Sequence, residues 1–437
     1  MMKSFLLSAL FAGMALTVPA AAQERVAIIG GRVVTNAGAP VDSAIVLMKN
    51  GEVERLLPPS SAVPAGYRQV DARNKWVTPG IVAGLSQIGI GEVAGEDNAN
   101  DTRAGSSPAS AALSVEVALN PADTAVAVSR VDGVTSAIVG AMSSRTVYNG
   151  QGSIISLADG VHTPIRGRAF QYVVYGEDGA TRAGGSRSAA WIELTNGLEE
   201  ARRLQAGHGG ATRDQSRDLR LTREDAEALT LVLRSVQPLL VRVDRASDIR
   251  QVLKLKSMYP GLRLVLVSAN EGWLVADEIA GAAVPVITLG MDNLPGRFEM
   301  LGATLSNVGR MVAAGVTVAL GTPDLDGSFQ PRLLPQYAGN MVAQARLPGA
   351  VGLSWDQAFA AISKVPADIF GLSDMGRLTP GARGDVVIWS GDPLELSSKA
   401  EQVFIGGVQQ PMDSRQMKLA RRYRPGVTGE LPPGYRR

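Results

Sequence analysis

The sequence predicts an α/β protein: a (β/α)8 TIM-like barrel joined to a small β-sandwich domain that both ends of the chain build. Three observations favour this fold. Residues 26–80 carry strand-like runs, and residues 376–410 return to the same character. Between them, short apolar runs alternate with amphipathic runs, which is typical of a parallel sheet covered by helices. An open doubly wound sheet is the alternative arrangement of the same units.

The N-terminal residues have the pattern of a secretory signal peptide. Lys3 supplies a positive charge, residues 5–18 form an apolar run, and the small residues that follow allow cleavage near Ala22 and Gln23. The run is shorter than the roughly 20 residues that cross a bilayer. We therefore expect residues 1–22 to be removed and the mature chain, without a membrane span, to be periplasmic or secreted.

The first segment of the mature chain predicts strands only. Residues 26–34 form one strand-like run, and residues 42–58 predict a hairpin whose turn contains Asn50 and Gly51. Residues 69–80 predict a further short strand and an entry loop. We expect residues 23–78 and 376–412 to form the β-sandwich together.

Residues 79–375 predict the barrel. Strand-like runs occur at 134–139, 238–244, 262–268, 284–290 and 316–321. Helical runs occur at 221–236, 247–258, 270–282, 301–314 and 354–364. Thr222 with Asp225, and Ser354 with Gln357, have the spacing of capping boxes, and Ser247 is a candidate N-cap.

Two stretches and the tail predict irregular structure. Residues 92–110 and 176–218 are rich in glycine and polar residues, as in active-site lids or disordered loops. Residues 413–437 form a basic tail. Such a tail is usually a solvated or packing arm, and an interaction arm is the alternative.

Four segments carry a resemblance to a known family. They are IIGGRVV (28–34), VTPGIVAGLSQIGIGE (77–92), VTVALGTPD (316–324) and PADIFGLSDMGRLTPGARGDVVIWSGDPLE (366–395). This layout resembles the amidohydrolase superfamily, near its imidazolonepropionase-like and related exported members. The resemblance implies a hydrolase of amide or cyclic amide C–N bonds, with one or two divalent metals at the C-terminal mouth of the barrel. It implies histidine ligands on several strands, often a modified lysine or a glutamate, and an aspartate after the last strand that also acts as general base.

The residues at those positions depart from the family pattern. Leu85 and Gln87 stand where the first strand would carry its two histidines, and Arg242 or Val243 stands where a later histidine is expected. Leucine has no lone pair for a metal, and an arginine is always charged and repels a cation. After the last strand, the family aspartate aligns with Pro323, and Asp324 comes one position later.

The remaining residues do not restore a zinc site. The chain has no cysteine and two histidines, His162 and His208, neither of which lies in a family ligand motif. We therefore expect no metal and no other cofactor. A site made of oxygen ligands for Ca²⁺, Mg²⁺ or Mn²⁺ is the alternative. Its candidate ligands are Glu92, Glu96, Asp97, Asp101, Asp324 and Asp326.

Two functional hypotheses follow. The first is an exported, metal-free and catalytically degenerate amidohydrolase-like protein. It would be a binding or partner subunit, as a homo-oligomer or with an active homologue, and a small-molecule ligand is compatible with it. The alternative is a working C–N hydrolase with an atypical site, in which Asp324 is the base and Arg242, Asn270 and Gln87 bind the substrate.

Other functions are poorly supported. The formal net charge of +2 does not favour nucleic-acid binding. A dinucleotide-dependent enzyme is disfavoured because the glycines of GIGEVAG (89–95) have the wrong spacing.

Overall fold

The computed structural model describes residues 25–93, 95–160, 164–207, 221–323 and 329–424. The predicted signal peptide, both histidines (His162 and His208) and the candidate base Asp324 lie outside the described residues. Asp326 and the end of the basic tail also lie outside them.

The described residues form eighteen strands. In chain order they are β1 (Val26–Val33), β2 (Val41–Lys49), β3 (Glu52–Leu57), β4 (Arg68–Asp71), β5 (Trp76–Pro79), β6 (Ile81–Ser86), β7 (Arg103–Ala104), β8 (Val134–Val139), β9 (Ser143–Ser144), β10 (Tyr148–Ser156), β11 (Pro164–Val174), β12 (Leu239–Val243), β13 (Leu264–Ser268), β14 (Val286–Thr288), β15 (Val318–Leu320), β16 (Val386–Trp389), β17 (Ala400–Ile405) and β18 (Val408–Gln409).

Twelve α-helices lie in the same described ranges. They are α1 (Thr124–Val131), α2 (Glu177–Arg182), α3 (Arg187–Gln205), α4 (Arg223–Leu233), α5 (Ala246–Leu253), α6 (Leu255–Met258), α7 (Ala276–Gly281), α8 (Asn307–Ala313), α9 (Leu334–Gln344), α10 (Trp355–Ala361), α11 (Lys364–Ile369) and α12 (Arg415–Tyr423).

Strands from both ends of the chain form one eight-stranded sheet. Its order is β18-β17-β16-β5-β1-β2-β3, and β4 pairs with β1. The predicted turn joins β2 to β3, where Asn50 and Gly51 have φ values of 58° and 87°. The sandwich arrangement and the domain bounds of 23–78 with 376–412, 79–375 and 413–437 stay predictions.

A second sheet forms a TIM-like barrel. Its order is β15-β14-β13-β12-β11-β10-β8-β6. The two end strands meet where the Thr322 amide donates to the Leu85 carbonyl at 2.9 Å. Gly84 and Gly321 lie at this seam, and a Cβ on Gly84 would come within 2.8 Å of the Gly321 Cα. The absence of two side chains therefore lets the backbones approach closely enough to bring the barrel near closure.

The barrel departs from the predicted parallel arrangement at one strand. β10 runs antiparallel to both β8 and β11. In the part of the chain that is described, no helix lies between β8 and β11. Gly152 of β10 permits the packing there, because the Phe170 ring occupies the space into which a Cβ would project.

The helix predictions are confirmed in several places. Both capping boxes are present, at the starts of α4 and α10. The predicted helix at 247–258 is divided into α5 and α6, and the prediction of Ser247 as its N-cap is wrong, because α5 begins one residue earlier, after Arg245.

The prediction of irregular structure over 176–218 is wrong for its described part. It contains α2 and the 19-residue helix α3, which the Ser186 side chain caps. The side chains of α3 that pack into the core recur every three or four residues, at Ala190, Leu194, Leu198 and Ala201. This periodicity was the signal that the glycine and serine content obscured.

The barrel interior is filled by apolar side chains. One buried cluster contains Leu85, Phe170, Val267 and Ile287 from four barrel strands, and Phe370 directly after α11. The rings of Phe170 and Phe370 have centroids 5.5 Å apart. No helix within the described ranges is long and apolar enough to cross a membrane.

Candidate functional site

The carboxyl ends of the barrel strands form the mouth at which TIM-barrel proteins place their sites. Leu85, near the end of the first barrel strand, is fully buried in the interior cluster. A Cβ added to Gly140 would lie 3.0 Å from Leu85 Cδ1 and 3.3 Å from the Phe170 ring. Leu85 therefore packs beside Gly140 and Phe170, and its side chain is part of the hydrophobic core.

Gln87 directly follows the same strand. Its side chain is 1% exposed, and its Oε1 atom has no hydrogen-bond donor among the described residues. A buried amide oxygen without a donor is uncommon in folded proteins, because desolvation is then uncompensated. Gln87 is therefore an acceptor that a ligand N–H or O–H group could satisfy.

Arg242 points toward the barrel interior. It pairs in register with Val267 and follows Leu240 by two residues, and both of those side chains belong to the interior cluster. Residues two apart on a strand, and directly paired residues of neighbouring strands, share a face of the sheet. Arg242 is partly exposed, so its guanidinium lies at the open end of the interior.

A second arginine lies beside it. Arg182 ends α2, and its guanidinium donates to Asn149 Oδ1 at 2.5 Å and to the Met142 carbonyl at 3.2 Å. Burial lowers the pKa of Arg182, and the Arg242 cation acts in the same direction. Asp178 and Tyr172 oppose that lowering of the pKa. The guanidinium groups of Arg182 and Arg242 therefore lie close enough at the mouth for their charges to interact.

Asn270 lies at the mouth and is already engaged. Its Nδ2 donates to Asp244 Oδ1 at 2.8 Å. Asp244 Oδ2 accepts from Arg297 at 3.2 Å, and Arg297 also donates to Asp178 at 3.0 Å. The Asn270 amide thus orients a buried carboxylate, which Arg297 balances from the loop after β14.

A buried glutamate holds the same loop to α2. Glu299 Oε2 accepts from the Glu177 amide at 2.6 Å and from Arg187 at 3.3 Å. Arg187 also donates to Asp248 at 2.7 Å. Burial raises the pKa of Glu299, although Arg297 and Arg187 lower it. These contacts connect the segments that follow three barrel strands, β11, β12 and β14.

The backbone at the end of β13 is unusual. Ser268 and Ala269 have φ values of 69° and 47°, in the left-handed region that disfavours residues with a Cβ. The Ala269 amide donates to the Val243 carbonyl, and its carbonyl accepts from Asn307 Nδ2, both at 2.9 Å. Strained residues that the surroundings hold in place occur preferentially at functional sites.

Gln87, Arg242 and Asn270, the substrate-binding candidates from the sequence, lie near the carboxyl ends of β6, β12 and β13, and their role stays a prediction. The sequence did not point to Arg182, Asp244, Arg297 or Glu299. Asp244 could have been found, because it directly follows a predicted strand. Arg297 and Glu299 lie in a loop whose sequence carries no motif, so their role depends on the tertiary contacts.

The described part of the mouth does not fit the divalent metal that the family resemblance implies. Within the described ranges, no group of three or more His, Cys, Asp or Glu side chains could hold a metal ion. Leu85 offers no donor, and Arg182 and Arg242 place positive charge there. Of the carboxylates proposed for an oxygen-ligand site, Glu92 instead accepts from Asn120, and Glu96 accepts from Asn98. Asp324 and Asp326 lie outside the described residues.

Comparisons with known proteins find similarity to amidohydrolases. Residues 276–409 match the model of the "Amidohydrolase family". The chain is 25% identical to the amidohydrolase tasK of Hapsidospora irregularis over 396 residues, which cover 80% of this chain and 38% of that protein. It is 37% identical to an imidazolonepropionase of Cereibacter sphaeroides over 106 residues, which cover 24% of this chain and 25% of that protein.

The fold has a solved counterpart. An amidohydrolase from Thermotoga maritima MSB8 superposes with a TM-score of 0.77 at 23% identity, covering 88% of this chain and 99% of that one. The matches to the two curated relatives span only 38% and 25% of their lengths. The activities in the names of those relatives therefore describe those proteins and are not assigned to this chain.

Proposed function

Because the chain belongs to the amidohydrolase superfamily, we propose that it is a metal-free, catalytically degenerate member that acts in the periplasm as a binding or partner subunit. Export rests on the signal-peptide pattern of residues 1–22. Fold alone does not determine function, so the proposal rests on the mouth of the barrel.

The observation that carries the proposal is the replacement of metal-binding side chains by core and cationic ones. Leu85 packs against Phe170 in the interior cluster. Arg242 or Val243 stands where the resemblance expects a later histidine, and Arg242 is the partly exposed one of the two. A metal ion here would meet a hydrocarbon wall on one side and a guanidinium on another, which is unfavourable for a divalent cation.

An exposed apolar surface supports the partner role. Leu294, Phe298 and Leu301 are 77%, 83% and 67% exposed on the loop after β14. Arg297 and Glu299 anchor this loop through ion pairs whose carboxylates are buried and whose arginines are partly exposed. Because the loop is held while its apolar side chains face solvent, it is suited to pack against a second subunit of the same fold.

Metal content with an activity assay tests the proposal. The mature protein would be purified with zinc or manganese present, dialysed, and analysed for bound metal, with a full-histidine homologue handled in parallel. We expect far less than one equivalent of metal and no hydrolysis of cyclic amides or dipeptides. One or two equivalents of metal accompanied by hydrolysis would contradict the proposal.

The alternative is a working hydrolase of amide or cyclic amide bonds with an atypical site. The strained turn at Ser268 and Ala269 favours it, because such turns accompany catalytic sites. In this case Asp324 would act as general base, and Arg242, Asn270 and Gln87 would hold the substrate.

The variant Asp324→Asn discriminates the alternative. If Asp324 is the base, any hydrolysis found should fall about 100-fold or more, because general-base catalysis contributes that much. Asp132→Asn, distant along the chain from the last strand, is the control. An unchanged rate in Asp324→Asn would remove this residue from the alternative.

A further inference from the structure

We propose that the barrel mouth is a binding site for a small organic carboxylate, which Arg182 and Arg242 hold in the place that a metal takes in other members of the superfamily. The inference rests on the proposed function, because a bound metal would itself attract an anion. It goes further in assigning a ligand class and in joining Arg182 to the site.

The first step is the direction of Arg242. Its register partner Val267 and its strand neighbour Leu240 both face the barrel interior. The interior below Arg242 is apolar, so the polar end of its side chain is directed toward the mouth. A guanidinium presents five N–H donors in a rigid fork that matches the two oxygens of a carboxylate.

The second step is the position of Arg182. α2 starts three residues after β11 ends, and the Tyr175 amide that directly follows β11 donates to the Arg242 carbonyl at 2.9 Å. α2 therefore lies above the adjoining ends of β11 and β12. The bonds of Arg182 to Asn149 and the Met142 carbonyl fix its guanidinium on the β10 side of the mouth.

The third step is the chemistry between the two arginines. Tyr172 belongs to the interior cluster and lies close enough to Arg182 to affect its pKa, as Arg242 does. A carboxylate at this place would meet two cations. Asp178 and Asp244, the nearby carboxylates on α2 and after β12, both accept from Arg297. Arg297 therefore offsets part of the acidic charge that would otherwise compete for Arg182 and Arg242.

Calorimetric titration tests the inference. The probe is succinate, the matched uncharged control is succinamide, and inorganic phosphate is the competing oxyanion. The protein is the mature chain after EDTA treatment and dialysis. We expect succinate to bind, succinamide to bind at least about tenfold more weakly, and succinate affinity to fall with added salt.

Variants identify the groups responsible. Arg182→Gln and Arg242→Gln should each weaken succinate binding about 10- to 100-fold, the effect of losing a charge-assisted hydrogen bond. The exposed Arg332→Gln is the control and should bind as the unaltered chain does. Circular dichroism checks folding. If one variant fails to fold, succinate binding by the other variant and the salt dependence of succinate affinity still test the inference.

Each remaining outcome has a defined meaning. Equal binding of succinate and succinamide, no succinate binding, or unchanged affinity in both variants would overturn the inference. Tighter binding of phosphate would overturn the carboxylate assignment. Succinate binding that EDTA abolishes in metal-containing protein would defeat the proposed function, whereas metal-free protein that binds no carboxylate would defeat only this inference.

Discussion

Asp385 shows how a single buried carboxylate is set by its surroundings. It lies where the terminal sheet meets the barrel: its carbonyl accepts from the Gly80 amide at 2.9 Å. Its carboxylate accepts from the Gly406 amide at 2.8 Å and pairs with Arg383 at 3.1 Å. Burial raises the pKa of Asp385 above its ordinary value of 3.8, and Arg383 only partly opposes this. The ionised side chain therefore carries a desolvation cost in the folded state.

The pH dependence of stability should report this cost. Because the folded pKa is raised, the contribution of Asp385 to stability is fully present below pH 3.8 and is lost as pH rises through the folded pKa. Asp385→Asn cannot ionise, so its free energy of unfolding should decline less than that of the unaltered chain as pH rises from about 4 toward neutral. Urea unfolding across this range is the measurement.

The exposed Asp42→Asn provides the control for this series and should follow the profile of the unaltered chain. Parallel profiles for Asp385→Asn and the unaltered chain would show that Asp385 does not titrate with a raised pKa.

At the scale of elements, the contact between the first and last barrel strands depends on backbone approach. Gly84 lies in β6, and Gly321 directly follows β15. A Cβ on Gly84 would meet the Leu320 carbonyl and the Gly321 Cα, and both are main-chain atoms that cannot rotate away. Side chains in close-packed interiors cannot be enlarged without displacing neighbours.

Gly84→Ala should therefore destabilise the barrel. We expect a loss of about 1–3 kcal/mol in the free energy of unfolding, because the added methyl group forces the two strand ends apart. Urea denaturation measures the change. Gly105→Ala is the matched control, since nothing lies within 4 Å of its added Cβ, and it should change stability by less than about 0.5 kcal/mol. Equal effects of the two substitutions would contradict the role of Gly84.

At the scale of the whole molecule, the loop after β14 gives the barrel mouth an apolar rim. Arg297 reaches inward from this loop to the buried Asp244, while the neighbouring Phe298 faces solvent. Exposed apolar side chains on a loop that ion pairs hold in place are candidates for contact with a partner.

Replacing the apolar rim should change assembly. If the loop packs against a second subunit, Phe298→Ser with Leu301→Ser should lower the molar mass seen by light scattering, alone or with an active homologue. Leu396→Ser, an equally exposed leucine elsewhere, should leave the mass unchanged. A monomeric unaltered chain that binds no homologue would remove the partner role.

The sequence by itself predicted the parts of the fold that local patterns encode. Alternating apolar strands and amphipathic helices indicated the barrel, and the capping boxes at Thr222 and Ser354 marked true helix starts. The motifs at 77–92 and 366–395 indicated the superfamily, and Leu85 stands where the resemblance expects a histidine.

Only the tertiary structure decided how the mouth is built. β10 runs antiparallel to its neighbours, and the Phe170 ring packs beside Gly152, a contact between residues on different strands. The pairing of Asp244 with Arg297 joins positions 53 residues apart. Periodicity and capping act within one or two helical turns, so sequence patterns report them directly. Strand direction and long-range ion pairs depend on which surfaces meet when the chain is folded, and that information lies in the packing of the whole molecule.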